Sequence, residues 1–183
     1  MPNNMPENNG LVLDVCCGSR MFWFDRADPR AVYCDNRKET HVLTDKSSKN
    51  GSRMLVIEPD CLADFTALPF PDNHFPIVVF DPPHLIRNGS SGWLAKKYGK
   101  LRENWEDDIR LGFSECFRVL SPEGTLIFKW NERDIPVSKI LSLTPEVPLL
   151  GNRGGRTAAT HWIVFMKSSR FQLTNPVRED VSK

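Results

Sequence analysis

Ile77-Val78-Val79-Phe80-Asp81-Pro82-Pro83-His84-Leu85 is the stretch that decides the fold. Its apolar half, Ile77 to Phe80, has the unbroken hydrophobicity of a strand buried on both faces of a parallel sheet. The strand ends on an acid, and two prolines then stop it and stiffen the exit. Each proline removes a backbone donor, so the carbonyls here can face a ligand rather than a neighbouring strand. His84 adds an aromatic ring at the mouth of the sheet. A carboxylate, a fixed carbonyl and a ring suit a flat nitrogenous substrate, with two acceptors for an amino group and a face for stacking. A Pro-stopped loop without chemistry is the plainer reading of Asp-Pro-Pro by itself. The upstream residues decide between the two.

Upstream, Leu11-Val12-Leu13-Asp14-Val15 is a short apolar strand, followed by the small-residue turn Cys16-Cys17-Gly18-Ser19-Arg20. Met21-Phe22-Trp23-Phe24 reads as the start of a helix, ahead of the breaker Asp28-Pro29. Strand, turn and helix form the first unit of a doubly wound α/β fold, in which the turn lets a ligand approach the backbone. Gly18 is the one glycine of that turn, so this is no GxGxxG fingerprint. Asp14 either holds the turn or meets a cationic ligand group. Ala31 to Asp35 is a second acid-ended strand, and Asp35 lies 17 residues after Gly18. That is close to the roughly 20 expected of a carboxylate that takes both ribose hydroxyls. Asn36 to Ser52 is polar without helical periodicity and reads as a loop or weak helix, Met54 to Ile57 as extended chain. A third strand should finish within Pro59 to Phe65, where Asp64 and Phe65 can supply an acceptor and an apolar wall for an adenine.

The chain has 183 residues, 40% of them hydrophobic and 26% charged, which fits one globular domain. A net charge of +1 excludes a globally basic nucleic-acid binder but not a local basic patch. Five cysteines, Cys16 and Cys17 adjacent and the other three scattered, with no CxxC pair, argue against a disulfide framework and a zinc site, and for a reducing compartment. The sequence shows no apolar run of membrane-spanning length, and residues 1–10 lack the regions of a signal peptide. A cytoplasmic protein is expected.

Three acid-ended strands, then Leu68-Pro69-Phe70-Pro71-Asp72-Asn73-His74-Phe75, then a strand ending in DPPH resemble a class I S-adenosylmethionine-dependent methyltransferase. The resemblance runs from about Leu11 to Lys167, and rests on DVCCGSR with Asp35, on ADFTALPFPDN and on DPPH. Asp81-Pro82-Pro83-His84 is similar to the Asp/Asn-Pro-Pro-aromatic motif of methyltransferases acting on exocyclic amino groups of bases. His stands where Tyr, Phe or Trp is usual. The nucleotide motif precedes the catalytic one, the gamma order among DNA amino-methyltransferases. The resemblance implies a Rossmann-like single domain with a mostly parallel sheet and a final antiparallel strand. It also implies S-adenosyl-L-methionine as cofactor, held by Asp14, Cys16, Cys17, Gly18, Asp35, Asn36, Asp64, Phe65 and Asp81. No metal is implied. Adenine in DNA or RNA is favoured over cytosine only by the habit of the family.

Beyond the motif, Ile86 to Arg102 carries Arg87, Lys96, Lys97, Lys100 and Arg102 with no acid, interleaved with Trp93 and Tyr98. Gly89, Ser90, Ser91 and Gly92 make its start flexible. Cations with aromatics suit phosphates and stacked bases, so this stretch is the expected substrate-binding loop, a merely solvated loop being the plainer alternative. Glu103 to Leu120 reads as an amphipathic helix with Trp105, Ile109, Phe113, Cys116, Phe117 and Leu120 facing the core. Ser121 to Gly124 reads as a turn and Thr125 to Trp130 as the fifth strand. Asp134 to Ser142 is expected as a short helix. Val147 to Leu150 and His161 to Met166 are expected as the closing antiparallel pair, joined by a mobile basic loop from Gly151 to Thr157. His41, His74 and His161 read as structural. Residues 1–10 and 168–183 are expected as flexible ends of a domain spanning 11–167.

The expected activity is methyl transfer from S-adenosylmethionine to an exocyclic amino group of a nucleobase, with no membrane association. The chain lacks a segment for a separate target-recognition domain, so specificity is low or supplied by a partner protein. A non-catalytic cofactor- or nucleic-acid-binding protein on the same fold is the first alternative, and a methyltransferase for a small molecule or protein the second. A nucleotide-dependent oxidoreductase is disfavoured, since DPPH has no role in hydride transfer.

Overall fold

The structure, a computed structural model, describes residues 10–45, 47–86, 93–153 and 159–168. In chain order its elements are β1 (Val12–Asp14), β2 (Ala31–Asp35), β3 (Glu39–Thr44), β4 (Ser52–Ile57), β5 (Cys61–Leu62) and β6 (Phe75–Phe80). There follow α1 (Trp93–Tyr98), α2 (Trp105–Val119), β7 (Leu120–Asn131), α3 (Val137–Leu141), β8 (Leu150–Arg153) and β9 (Thr160–Met166). Among the described residues seven strands form one sheet in the order β5-β2-β1-β6-β7-β9-β8. β5, β2, β1, β6 and β7 run parallel, and β9 is antiparallel to both of its neighbours. This is the expected Rossmann-like α/β sheet, mostly parallel and closed by an antiparallel strand.

β1 and β6 are central because both are apolar on both faces. Leu13, Val78 and Phe80 are fully buried. The apolar side of α2 covers β6 and β7, with Ile109, Phe113 and Cys116 buried at helical spacing as expected. Gly112 permits that approach, since a Cβ there would stand 2.7 Å from ring atoms of Phe65 and Phe80. Trp105 is half-buried against the edge of this core.

Five expectations are corrected. The helix expected at Met21 to Phe24 is a series of turns. Trp23 is drawn inward instead, its indole donating to Asp14 and packing edge-on against Tyr33, while Phe24 is fully exposed. The Arg20 guanidinium donates to the carbonyls of Arg26 and Glu58. The loop expected over Asn36 to Ser52 contains β3, which pairs with β4 as a separate antiparallel hairpin. Its signal is a period of two, with Leu43 buried between exposed Val42 and Thr44. The turn expected at Ser121 to Gly124 is a register irregularity inside the long β7, relieved by a positive φ of 61° at Glu123. The flexible loop before α2 contains α1.

α3 falls within the expected short helix, and a closing antiparallel pair is present, but its first strand is shifted: β8 takes Leu150–Arg153 rather than Val147 to Leu150, so Gly151 to Arg153, expected as loop, pair with β9. Arg87, Gly89 to Gly92, Gly154 to Thr157 and the two chain ends lie outside the described residues, except Gly10 and Ser168. Among the described residues no helix is long and apolar enough to cross a membrane.

Candidate active site

The carboxyl ends of β1, β6 and β7 open on a cavity of about 420 Å³. Open α/β sheets bind ligands in this crevice. Its walls come from the turn after β1 (Cys16, Cys17, Gly18, Phe22), from Asp81, Pro82 and His84 after β6, and from Lys97 and Tyr98 of α1. Lys129, Asn131 and Arg133 at the end of β7 complete it, with Thr160 of β9. One space thus collects two of the three stretches that carry the family resemblance, the turn after β1 and the Asp-Pro-Pro-His exit of β6.

The turn is built from Asp14 inward. Asp14 is wholly buried and accepts from Trp23 Nε1 at 2.8 Å and from the Cys16 amide at 3.3 Å. Burial pushes its carboxyl up to about 7, against the lowering by these bonds. Asp14 does not line the cavity, so of its two expected roles the geometry shows the one that holds the turn. Gly18 has φ +51°, and a Cβ built there would meet nothing within 4 Å. Its amide donates to Asp35 Oδ2 at 2.9 Å. Burial pushes the Cys16 and Cys17 thiols up, so both line the cavity as neutral groups.

Asp35 sits at the end of β2 as expected, but its carboxylate is engaged. Oδ1 accepts from the Arg37 amide at 3.0 Å and from Arg37 Nε at 3.1 Å. The same guanidinium donates from Nη1 to the Lys96 carbonyl of α1. Arg37 therefore stands between the large cavity and a hollow of about 30 Å³ lined by Asp35, Asn36, Phe65 and Pro83. Phe65 is buried against Phe80, 5.4 Å between ring centroids, and reaches that hollow as an apolar wall. Asp64 lines neither space; it caps the turn at Thr66 and pairs with Arg102.

Asp81 lies on the cavity wall. Lys129 Nζ lies 2.5 Å from its Oδ2. Burial raises the Asp81 carboxyl above its ordinary range, and Lys129 opposes that rise. The His84 ring packs 5.6 Å from Tyr98 and 6.2 Å from Trp130, centroid to centroid. Burial, aided by Lys129, lowers it to about 4, so the ring is neutral near pH 7. A neutral, packed imidazole offers a stacking face rather than an acid. Pro83 packs against Gly99, whose φ is +74°.

The expected basic loop divides. Lys97 and Tyr98 line the cavity, with Lys97 Nζ 4.9 Å from the ring centroids of both Trp93 and Tyr98. Trp93 and Lys96 border an open hollow shared with Val42, Leu43 and Thr44 of β3. Lys100 is exposed and lines none of these spaces. Arg102 is spoken for internally: Nε donates to buried Asp108 at 2.8 Å and Nη2 to Asp64 at 3.1 Å. It holds the start of α2 to the loop after β5, so the geometry gives it a structural use.

Sequence reasoning passed over Phe22, Arg37, Lys129, Asn131, Arg133 and Thr160. Lys129 had one legible signal, a lone cation inside the apolar run Leu126 to Trp130 on the strand next to the acid-ended one. Among the described residues no cluster of three or more His, Cys, Asp or Glu could hold a metal ion.

The sequence matches no protein-family model and no curated protein. Several solved structures are similar in fold. The PH0226 protein of Pyrococcus horikoshii OT3 aligns with TM-score 0.53 at 14% identity, over 87% of this chain and 83% of its own. A putative methyltransferase in complex with the Haloferax volcanii Trm112 methyltransferase activator aligns with TM-score 0.46 at 14% identity, over 90% and 86%. An S-adenosylmethionine-dependent methyltransferase of Mesorhizobium loti aligns with TM-score 0.40 at 12% identity, over 88% and 93%. At these identities the first likeness speaks for the fold alone.

Proposed function

We propose that this chain is an S-adenosylmethionine-dependent methyltransferase that modifies an exocyclic amino group of a nucleobase, adenine in DNA or RNA being the first substrate to test. The observation that carries the reading is the meeting of the turn Cys16 to Gly18 with Asp81, Pro82 and His84 in one cavity.

The residues present fit the cofactor. Gly18 leaves room at the turn that a side chain would fill, and its positive φ favours glycine. Cys16, Cys17 and Gly18 would hold the cofactor's amino-acid end, Asp35 its ribose and Phe65 a flat ring. When bound, S-adenosylmethionine supplies an electrophilic methyl whose bond to sulfur breaks as the bond to nitrogen forms, leaving a neutral thioether.

An aromatic amine is a poor nucleophile because its lone pair is delocalised into the ring. Asp81 Oδ1 and the Pro82 carbonyl would accept its two N–H bonds and favour a pyramidal nitrogen with the lone pair turned to the methyl. These are fixed acceptors that stabilise the transition state, and positioning supplies much of the rest. The neutral His84 ring would stack on the base. The nitrogen becomes acidic once methylated, and Asp81 can take the proton. A base in a duplex must be flipped out to reach this depth, with Lys97 and Trp93 meeting the backbone beside it.

One observation favours a second reading, binding without turnover: Asp35 and Asp81 are each already paired within the chain, to Arg37 and Lys129. A tritiated-methyl transfer assay against DNA, structured RNA and free nucleosides, followed by nucleoside mass spectrometry, separates the two. N-methylated adenine or cytosine is the expected product. Cofactor binding with no transfer to any of the three leaves the binding protein.

A further inference from the structure

Lys129 carries three ammonium donors, and the structure shows an oxygen acceptor for one of them, Asp81 Oδ2. Its Nζ otherwise lies 5.5 and 5.7 Å from the ring centroids of Phe22 and Trp162, on the wall of the cavity that holds Asp81 and His84. Aromatic faces attract a cation electrostatically but offer it no lone-pair acceptor in hydrogen-bond geometry. A half-buried ammonium of this kind is best satisfied by an acceptor on whatever fills the cavity.

Asp81 offers the converse. Its Oδ1 receives no hydrogen bond among the described residues, while Oδ2 is held by the lysine. An acceptor and a donor therefore stand side by side, fixed to each other by the ion pair and to the sheet by adjacent strands. A base edge that places an amino group next to a ring nitrogen lone pair presents the complementary pair. Adenine (N6 beside N1) and cytosine (N4 beside N3) have that edge. Guanine sets N1–H beside its amino group on the Watson–Crick edge, where a second donor would meet the ammonium; its acceptor neighbour, N3, lies on the opposite side of the amino group, on the edge that carries the sugar.

We infer that Lys129 is a specificity residue, donating to the ring nitrogen beside the target amino group and so selecting adenine or cytosine over guanine. The assignment rests on the base-methylating reading of the same cavity. It goes beyond that reading in giving the base a second, separately testable contact.

The test compares single-stranded oligonucleotides carrying one adenine or one 1-deazaadenine, and in parallel one cytosine or one 3-deazacytosine. Each deaza base keeps the amino group and loses the neighbouring acceptor. The wild-type protein should prefer a natural base over its deaza counterpart by about tenfold to a hundredfold in kcat/KM, the range for one hydrogen bond to a charged donor. In Lys129→Met that preference should shrink to within about threefold, and Lys129→Arg should restore part of it. Equal wild-type rates on natural and deaza bases overturn the inference without any variant, so it survives a variant that fails to fold. So does an unchanged preference in folded Lys129→Met. If the wild-type protein transfers methyl to no base at all, the base-methylating reading itself has failed, and this role with it.

Discussion

Lys129 Nζ meets Asp81 Oδ2 at 2.5 Å, one residue beyond the last paired position of β6 and β7, where Phe80 stands opposite Phe128. The sheet register alone brings these two charges together. The acid of the Pro-Pro motif is thus an ion-paired acceptor with one oxygen left for a ligand, rather than a free carboxylate. Its neighbour His84 is made neutral by burial and, secondarily, by the same lysine.

Asp81→Ala tests the acceptor role. Turnover should fall by roughly two to three orders of magnitude, as when one preorganised hydrogen-bond partner is deleted. Cofactor affinity should stay within about threefold, or about 0.7 kcal/mol, because the proposed function rests the cofactor on Cys16 to Gly18, Asp35 and Phe65 and leaves Asp81 to the amine. Full activity in this variant would reduce the motif to a strand stop. Single-turnover kinetics and calorimetry provide the two readings.

Asp35 and Arg37 form a pair with opposite expected effects. Asp35→Ala should weaken S-adenosylhomocysteine binding by about 1.5–3 kcal/mol, the cost of charged hydrogen bonds. Arg37→Ala removes a competitor for the same oxygens and should leave affinity equal or tighter. Calorimetry that finds Asp35→Ala unchanged takes Asp35 out of the site.

Lys97 and Arg102, five residues apart in one basic stretch, should behave differently. Lys97→Glu should raise KM for a polymeric substrate and flatten its dependence on salt, because a phosphate contact is lost. Its activity on a free nucleoside should hardly change. Arg102→Ala should instead lower the melting temperature, since it breaks the tie between Asp64 and Asp108, and leave the salt dependence alone. The reverse pattern would move the nucleic-acid surface from Lys97 to Arg102.

Asp14 makes stability depend on pH in a predictable direction. Its folded carboxyl titrates at about 7, raised chiefly by burial, whereas an unfolded aspartate titrates near about 3.9. The folded state keeps its proton where the unfolded state has lost it. The contribution is therefore full below about pH 4 and is lost as pH rises through about 7. Three pKa units correspond to a span on the order of 4 kcal/mol. Asp14→Asn has no such titration and should gain on the wild-type protein in melting temperature between pH 5 and pH 8. Parallel pH profiles for the two proteins would show that Asp14 is ionised in the folded state.

Much of the sheet is legible in the sequence because parallel strands buried on both faces leave a strong mark. The apolar runs before Asp14, Asp35 and Asp81 are β1, β2 and β6, and their acid ends mark the edge where the cavity opens. The spacing of Ile109, Phe113 and Cys116 likewise announces α2. The hairpin of β3 and β4 was hidden because its outward face, with Val42 and Met54, is apolar too, and polar neighbours mask the alternation.

The sequence by itself determined which residues end the strands, and so which acids and rings stand at the rim. The state of those acids was decided only by the tertiary structure. Asp14 is closed off by Trp23, Asp35 engaged by Arg37, Asp64 tied to Arg102 and Asp81 paired with Lys129. Apart from Arg37, those partners lie at least nine residues away along the chain, and the pairing of Asp81 with Lys129 spans 48. Local periodicity reports which way a side chain faces. Which charge it meets depends on strand order and register, a property of the folded sheet.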